Sequence, residues 1–235
     1  MQNTQFNEYN QEIGFSVENF SKGDYPKINS LTGQNCIVEH LTLEHEESLY
    51  KHLILSGTES DWTYLPEHMP KEREKFHDFL ESKIKDANAY FLAIIDKKTN
   101  EALGIFSLMR INEEMRTLEI GHVVYSQALM HTTIATEAQY LVARYVFEEL
   151  HYRRYEWKCD SLNKRSFNAA LRLGFSFEGI FRQIVVYKGR NRDTAWFSML
   201  DCEWPSRKAR FEQYLAAENF DVRGQQKLSL SKIPL

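Results

Sequence analysis

The sequence predicts an α/β (α+β) fold: a mixed, mostly antiparallel sheet that splays at one parallel strand pair, with helices flanking it. Three observations predict this. Residues 89–125 hold three apolar strand segments separated by the short polar turns "KKTNE" and "NEEM", the pattern of an antiparallel meander. A helical period then runs through Ile134, Ala138, Leu141, Val142, Tyr145 and Leu150, followed by a further strand, "YRRYEWKCD" (152–160). The strands at 118–125 and 153–160 thus flank one helix, and a crossover of that kind makes them parallel. One parallel pair among antiparallel neighbours leaves the sheet open at its middle.

The elements follow in order. Residues 1–35, rich in Asn, Gln, Ser and Gly, read as an arm that lies on the domain or stays mobile. "NCIVEHL" (35–41) is a first strand, and "TLEHEESLYKHLIL" (42–55) sets Leu43, Leu49, Leu53 and Leu55 near helical spacing. "DWTYLPEHMP" (61–70) is broken by two prolines and is a loop. "KEREKFHDFLESKIKD" (71–86) is an amphipathic helix with Phe76, Phe79, Leu80 and Ile84 on one stripe. After the meander, the long helix and the next strand, "NKRSFNAALRL" (163–173) is a short helix closed by Gly174, with Asn163 or Asp160 as its cap. "FEGIFRQIVVY" and "DTAWFSMLDCEW" are two last strands around "KGRNRD", and "SRKARFEQYLAAENF" (206–220) is a helix on the outside before a polar tail.

Composition narrows the function. At 235 residues the chain fits one large domain with appended arms. A net charge of −4 offers no field to recruit nucleic acid. The start, "MQNTQFNEYN", has no basic flank or apolar core, and "YFLAII" is too short to span a bilayer, so no membrane partner is expected. Cys36, Cys159 and Cys202 lie too far apart for a disulfide framework or a C-x-x-C metal pair, which points to a reducing, cytoplasmic setting. "HEESLYKH" begins like H-E-x-x-H but has Leu49 at the second histidine, so no metal site is expected.

The phrases "EIGHVVYS", "ATEA" opening the long helix, N-x-x-S followed by "RLGFSFEG", and "KGRNRDTAWFSMLDCEWP" resemble the GCN5-related N-acetyltransferase (GNAT) superfamily. The likeness extends to its branch of ribosomal-protein alanine and serine N-acetyltransferases. It implies the GNAT fold over residues 36–205, with 206–235 as a C-terminal helix and tail. It also implies acetyl-coenzyme A as co-substrate, an amine acceptor, and a monomer or homodimer.

Members carry Q/R-x-x-G-x-G/A between the central strand and the long helix. Here the aligned residues are Met130-His131-Thr132-Thr133-Ile134-Ala135, of which Ala135 alone fits. The first amides of a helix have no internal partner and carry the positive end of its dipole, so they accept a diphosphate even without glycine, provided φ stays negative at Thr133. Thr133 or Thr136 is the expected cap. The resemblance implies that Asn163 reaches the pantetheine arm, joined by Asn168 on the same helix. Ser166 then sits by the thioester sulfur as a candidate acid, or lies in the helix's first turn without a chemical role.

An amine acceptor must lose a proton before it attacks, so a base is needed at the splay. Glu119 and His122 are the ionisable residues of "LEIGHVVY", and strict alternation sends them to opposite faces. Relatives place a carboxylate there, whereas histidine needs less tuning. The main-chain N–H groups of Val123, Val124 and Tyr125 are expected to face the thioester carbonyl. Trp62, Tyr64, Arg182 and Tyr187 are the acceptor-pocket candidates by position in the family, or else core. The expected function is direct acetyl transfer to a primary amine, on a protein N-terminus or a small molecule. The rival is a catalytically degenerate module that binds an acyl-coenzyme A or another phosphate ligand.

Overall fold

The computed structural model describes residues 4–234. Among these, β1 (Gln5–Phe6) and β2 (Glu12–Ile13) form a small separate hairpin. One sheet holds β3 (Ser30–Thr32), β4 (Cys36–His40), β5 (Ala89–Asp96), β6 (Glu101–Asn112), β7 (Thr117–Tyr125), β8 (Arg154–Asp160), β9 (Ser176–Tyr187) and β10 (Arg190–Leu200). Its order is β3–β4–β5–β6–β7–β8–β10–β9, antiparallel throughout except for β7 with β8. The predicted meander and parallel crossover are both present.

The parallel ladder is short: Thr117–Ile120 pair with Arg154–Trp157, and beyond them the two strands have no paired residues. The reason lies in what the strands feed. The next residues of β7 run toward α3 (Thr133–Arg144), and those of β8 toward α4 (Lys164–Leu173), so the two chain directions diverge at the same end of the sheet.

Two layers cover the sheet. On one face α1 (Glu46–Leu49) and α2 (Arg73–Ile84) bury Leu49, Phe76 and Leu80 against Phe91, Ala93 and Ile105. On the other, α3, α4 and α5 (Trp204–Leu215) bury Leu141, Val142, Ala170 and Phe211 against Leu118, Ile120, Tyr155 and Phe197. No helix among the described residues is long and apolar enough to cross a membrane.

Three expectations shift. The segment after β4 is not one regular helix: a 3₁₀ turn (Leu43–His45) leads into α1, and a π-helical stretch (Tyr50–Leu55) follows. The wider turn rotates the stripe, so Leu53 and Ile54 are buried while Leu43 and Leu55 face solvent. The last hairpin turns on Lys188 (φ 50°) and Gly189 (φ 69°) alone, the two positive dihedrals of a two-residue turn, so β10 starts at Arg190 within "KGRNRD". And α5 runs from Trp204 to Leu215, with Pro205 in its first turn; it lies outside the sheet with Trp204, Phe211, Tyr214 and Leu215 buried on its inner face and Ser206, Glu212 and Gln213 exposed on the other.

Glu137, from "ATEA", has a structural duty. From the middle of α3 its carboxylate accepts the Gln34 N–H (2.6 Å) and the Asn35 N–H (2.8 Å), pinning the β3–β4 turn. Glu137→Ala should cost about 3 kcal/mol in urea unfolding, because two buried charge-assisted bonds are lost. Glu137→Gln, which keeps an acceptor, should cost less.

Candidate active site

The site is organised by a β-bulge. Ile105 pairs with Val124 and Ser107 with Gly121, so two residues of β7, His122 and Val123, face Phe106 alone. His122 takes the left-handed conformation this requires (φ 50°). The extra residue resets the alternation. Leu118, Ile120, Val123 and Tyr125 pack on the α3 side, whereas His122 meets Phe79 and Phe91 on the α2 side, with ring centroids 6.4 and 5.2 Å away. Glu119 also lies on the α2 side, near Gly121 and Met109. The expected opposite placement of Glu119 and His122 is therefore corrected: both project to one face.

Their surroundings differ. Glu119 stands opposite Glu156 in the parallel register, a repulsive pair on its own. Lys158 Nζ reaches Glu119 Oε2 (2.9 Å) and Glu156 Oε2 (2.7 Å), and sits 3.7 Å over the Trp196 ring. Arg110 adds a second cation on Glu119 Oε2 at 2.7 Å. Arg154 continues the row, from Glu156 to a two-pronged contact with Glu178 on β9. Burial alone would raise the Glu156 carboxyl, but Lys158 and Arg154 outweigh it and hold it below the usual range. No motif announced this network, since its members come from four strands.

His122 has no such partner. Its Nε2 is buried, accepts and donates no hydrogen bond among the described residues, and faces the equally unpartnered Glu67 Oε2 at 3.5 Å. The other oxygen of Glu67 is held by Lys83. Burial pushes the imidazole down to about 4 despite the pull of Glu67.

At the mouth of the splay, α3 begins as the sequence suggests, with one change of cap. Thr132, rather than Thr133 or Thr136, is the N-cap: its Oγ1 accepts the Ala135 N–H (3.2 Å) and donates to the Leu129 carbonyl (2.7 Å). The left-handed residue is His131 (φ 62°), so φ stays out of that region at Thr133. The Met130 amide bonds the Ser126 carbonyl, while those of His131, Thr133 and Ile134 have no protein partner among the described residues. The Thr136 hydroxyl accepts from Arg172 Nη1 (3.2 Å), an arginine that sequence reasoning missed.

On α4, Asn163 is the cap, accepting the Ser166 N–H at 3.1 Å, and Asp160 instead takes the Leu162 N–H and the Tyr187 hydroxyl (2.8 Å). The bond to Asp160 and burial push the Tyr187 phenol up to about 12, burial being the larger cause. Ser166 Oγ accepts from the Trp157 indole N–H at 3.0 Å. Asn168 is exposed on the same helix. Over the wedge lies the loop carrying Trp62 and Tyr64. Tyr64 Oη donates to the Leu162 carbonyl (3.2 Å), Gln127 Nε2 to Asp61 (3.0 Å), and Lys188 and Arg190 to the carbonyls of Trp62 and Thr63. Trp62 itself is core, edge-on to Phe79, and Arg182 is exposed on β9.

A bulged central strand, a splay after four parallel pairs and a helix N-terminus at its mouth define an acyl-transferase architecture. The family model "Acetyltransferase (GNAT) domain" matches residues 36–176, and the chain belongs to that family. A crystal structure of a GCN5-related N-acetyltransferase from Brucella melitensis is 41% identical, with a TM-score of 0.88 over 92% of this chain and 99% of that one. An uncharacterized N-acetyltransferase p20 from Bacillus licheniformis is 31% identical over 51% of this chain, which spans 66% of that relative's length. The ribosomal-protein-S5-alanine acetyltransferase from Vibrio fischeri, at 15% identity, shares the fold with a TM-score of 0.60 over 74% of this chain and 98% of that one.

The buried imidazole sets a pH dependence. A histidine of ordinary pKa 6.5 in the unfolded chain and about 4 when folded binds more protons unfolded between those values. Its contribution is therefore whole above about pH 6.5 and falls away as pH drops toward 4. Urea midpoints should decline across that interval, and His122→Asn should flatten the decline.

Proposed function

We propose that the chain is an acetyl-coenzyme A dependent N-acetyltransferase that moves the acetyl group directly to a primary amine, on a protein N-terminus or a small molecule. One observation carries this: the unsatisfied amides that open α3 stand at the mouth of the wedge between β7 and β8. The three amides suit a diphosphate, and Arg172 adds a cation beside Thr136 in the first turns of α3, the family's Gln or Arg being Met130 in this chain. In this reading residues 130–136 hold the diphosphate, Asn163 and Asn168 the pantetheine arm, and the N–H groups of Val123–Tyr125 the carbonyl oxygen. Acetyl-coenzyme A supplies an acetyl group already activated as a thioester.

The chain's own residues then position and move protons. Glu119 is a strut, its Oε2 shared by two cations. His122 is the proton acceptor: burial keeps it neutral, and the imidazolium it forms faces Glu67. The Trp157 N–H occupies a lone pair of Ser166 Oγ, and the Ser166 hydroxyl, which also faces the Cys159 thiol, is the proton donor of this reading. Tyr64, Tyr187, Arg182 and the loop around Trp62 border the acceptor. Three unpaired cysteines support a cytoplasmic setting.

One observation favours a second reading. Thr132 satisfies the Ala135 amide from within, and this loss of a donor suits a module that binds an acyl-coenzyme A without turning it over. Turnover separates the two. Calorimetry with acetyl-coenzyme A should show saturable binding, and a panel of peptides, polyamines and small amines should yield thiol release. Absence of binding defeats both readings, and binding without release defeats the enzyme. Ser166→Ala should lower kcat about tenfold, since a thiolate leaves readily and needs modest help, with little change in KM for acetyl-coenzyme A.

A further inference from the structure

Two exposed apolar surfaces of opposite charge have no partner within the chain. The first is the hairpin of β1 and β2. Phe6, Tyr9, Ile13, Phe15 and Val17 are exposed there, Phe6 at 65% and Tyr9 at 73%. Its hydrogen bonds are all internal: Asn7 Oδ1 accepts the amides of Tyr9 and Gln11, and Ser16 donates to Gln5. The arm first touches the domain at Phe20, between the Arg116 and Arg153 guanidinium groups, and at Gly23, whose N–H bonds the Glu113 carbonyl. A two-stranded hairpin of this size is not stable alone in water and needs a surface to cover its apolar side.

The second is β9, the last strand of the sheet. Its outer edge has no neighbour among the described residues, and Phe177, Ile180, Phe181, Ile184 and Val186 are all exposed, Val186 at 77%. A shallow concavity is lined by Phe181, Arg182, Gln183 and Ile184. A long apolar edge strand left open is a template for pairing with another chain.

Charge indicates the occupant. Residues 1–21 carry Glu8, Glu12 and Glu18 and no cation. The β9–β10 hairpin carries Arg182, Lys188, Arg190 and Arg192 against two carboxylates, Asp193 and a Glu178 already paired with Arg154, and none of the four cations is in an ion pair among the described residues. An exchange in which each copy gives one arm and receives one is closed and symmetric, and it needs no second species.

We propose that this chain forms a homodimer by reciprocal arm exchange, the N-terminal hairpin of each copy docking on the exposed edge strand β9 of the other. The docked arm would lie beside the β9–β10 turn that holds the loop over the wedge. Sedimentation velocity of the full chain should show a dimer. Deleting residues 1–19 should halve the apparent mass, and so should Ile184→Asp, each with an unchanged near-ultraviolet circular dichroism spectrum. Leu55→Asp, at an exposed leucine on the opposite helical layer, should leave the dimer intact. A monomeric full chain overturns the proposal, as does a dimer that survives either the deletion or Ile184→Asp.

Discussion

The Lys158 ammonium between Glu119 and Glu156 is the contact on which the site's geometry depends. A parallel ladder of four residue pairs is little to hold two halves of a sheet together, and its register sets two carboxylates side by side. Lys158 turns that repulsion into two bonds, and the Trp196 ring shields it from the opposite side. Replacing one member of such a row leaves its neighbours buried and unpaired, which costs more than the pair contributes when intact. The closed stretch of β7 and β8 is thereby fixed, and the point where they part is fixed with it.

Much of this was legible beforehand, and the reason is local. Meander strands, the long helix, the glycine that ends α4 and the crossover that forces a parallel pair all follow from periodicities of two and 3.6 and from chain direction. Asn163 as cap and Ser166 in the first turn were readable because a cap and its partner are three residues apart. The bulge was not. Nothing in "LEIGHVVY" says that His122 will take a positive φ, and that one dihedral moves its imidazole to the face of Glu119. Arg172 on Thr136, Trp157 on Ser166, and the row from Arg110 to Glu178 were hidden for a related reason: each joins residues distant along the chain or from different elements. The π-helical turn after α1 likewise changes which leucines face inward without any sequence break to mark it.

The two arms of the wedge are held apart, and also held in relation. The loop around Trp62 and Tyr64 touches the β8–α4 connection through Leu162, the β7–α3 connection through Gln127, and the β9–β10 turn through Lys188 and Arg190. Three of these four bonds end on backbone carbonyls and all four are donated by side chains, so the loop is held by the reach of Tyr64, Gln127, Lys188 and Arg190. Trp62 anchors it from below in the α2-side core. A surface spanning both sides of the splay in this way resists closing it and leaves room between them.

The start of α3 shows what glycine does and does not supply at such a site. A left-handed residue is needed for the chain to turn from β7 into the helix, and His131 takes that conformation, at some cost for a residue with a Cβ. Thr132 and Thr133 are thus spared it, and Thr132 offsets part of that cost with its capping bond. The same bond removes one amide from those a ligand could use. What remains is a narrower set of donors, bordered by the side chains of His131 and Thr133 where a glycine loop would be bare. What such a start can offer an anion depends on the direction of its N–H groups, which the backbone dictates. A glycine there would leave those amides bare, and in this chain threonine side chains stand beside them.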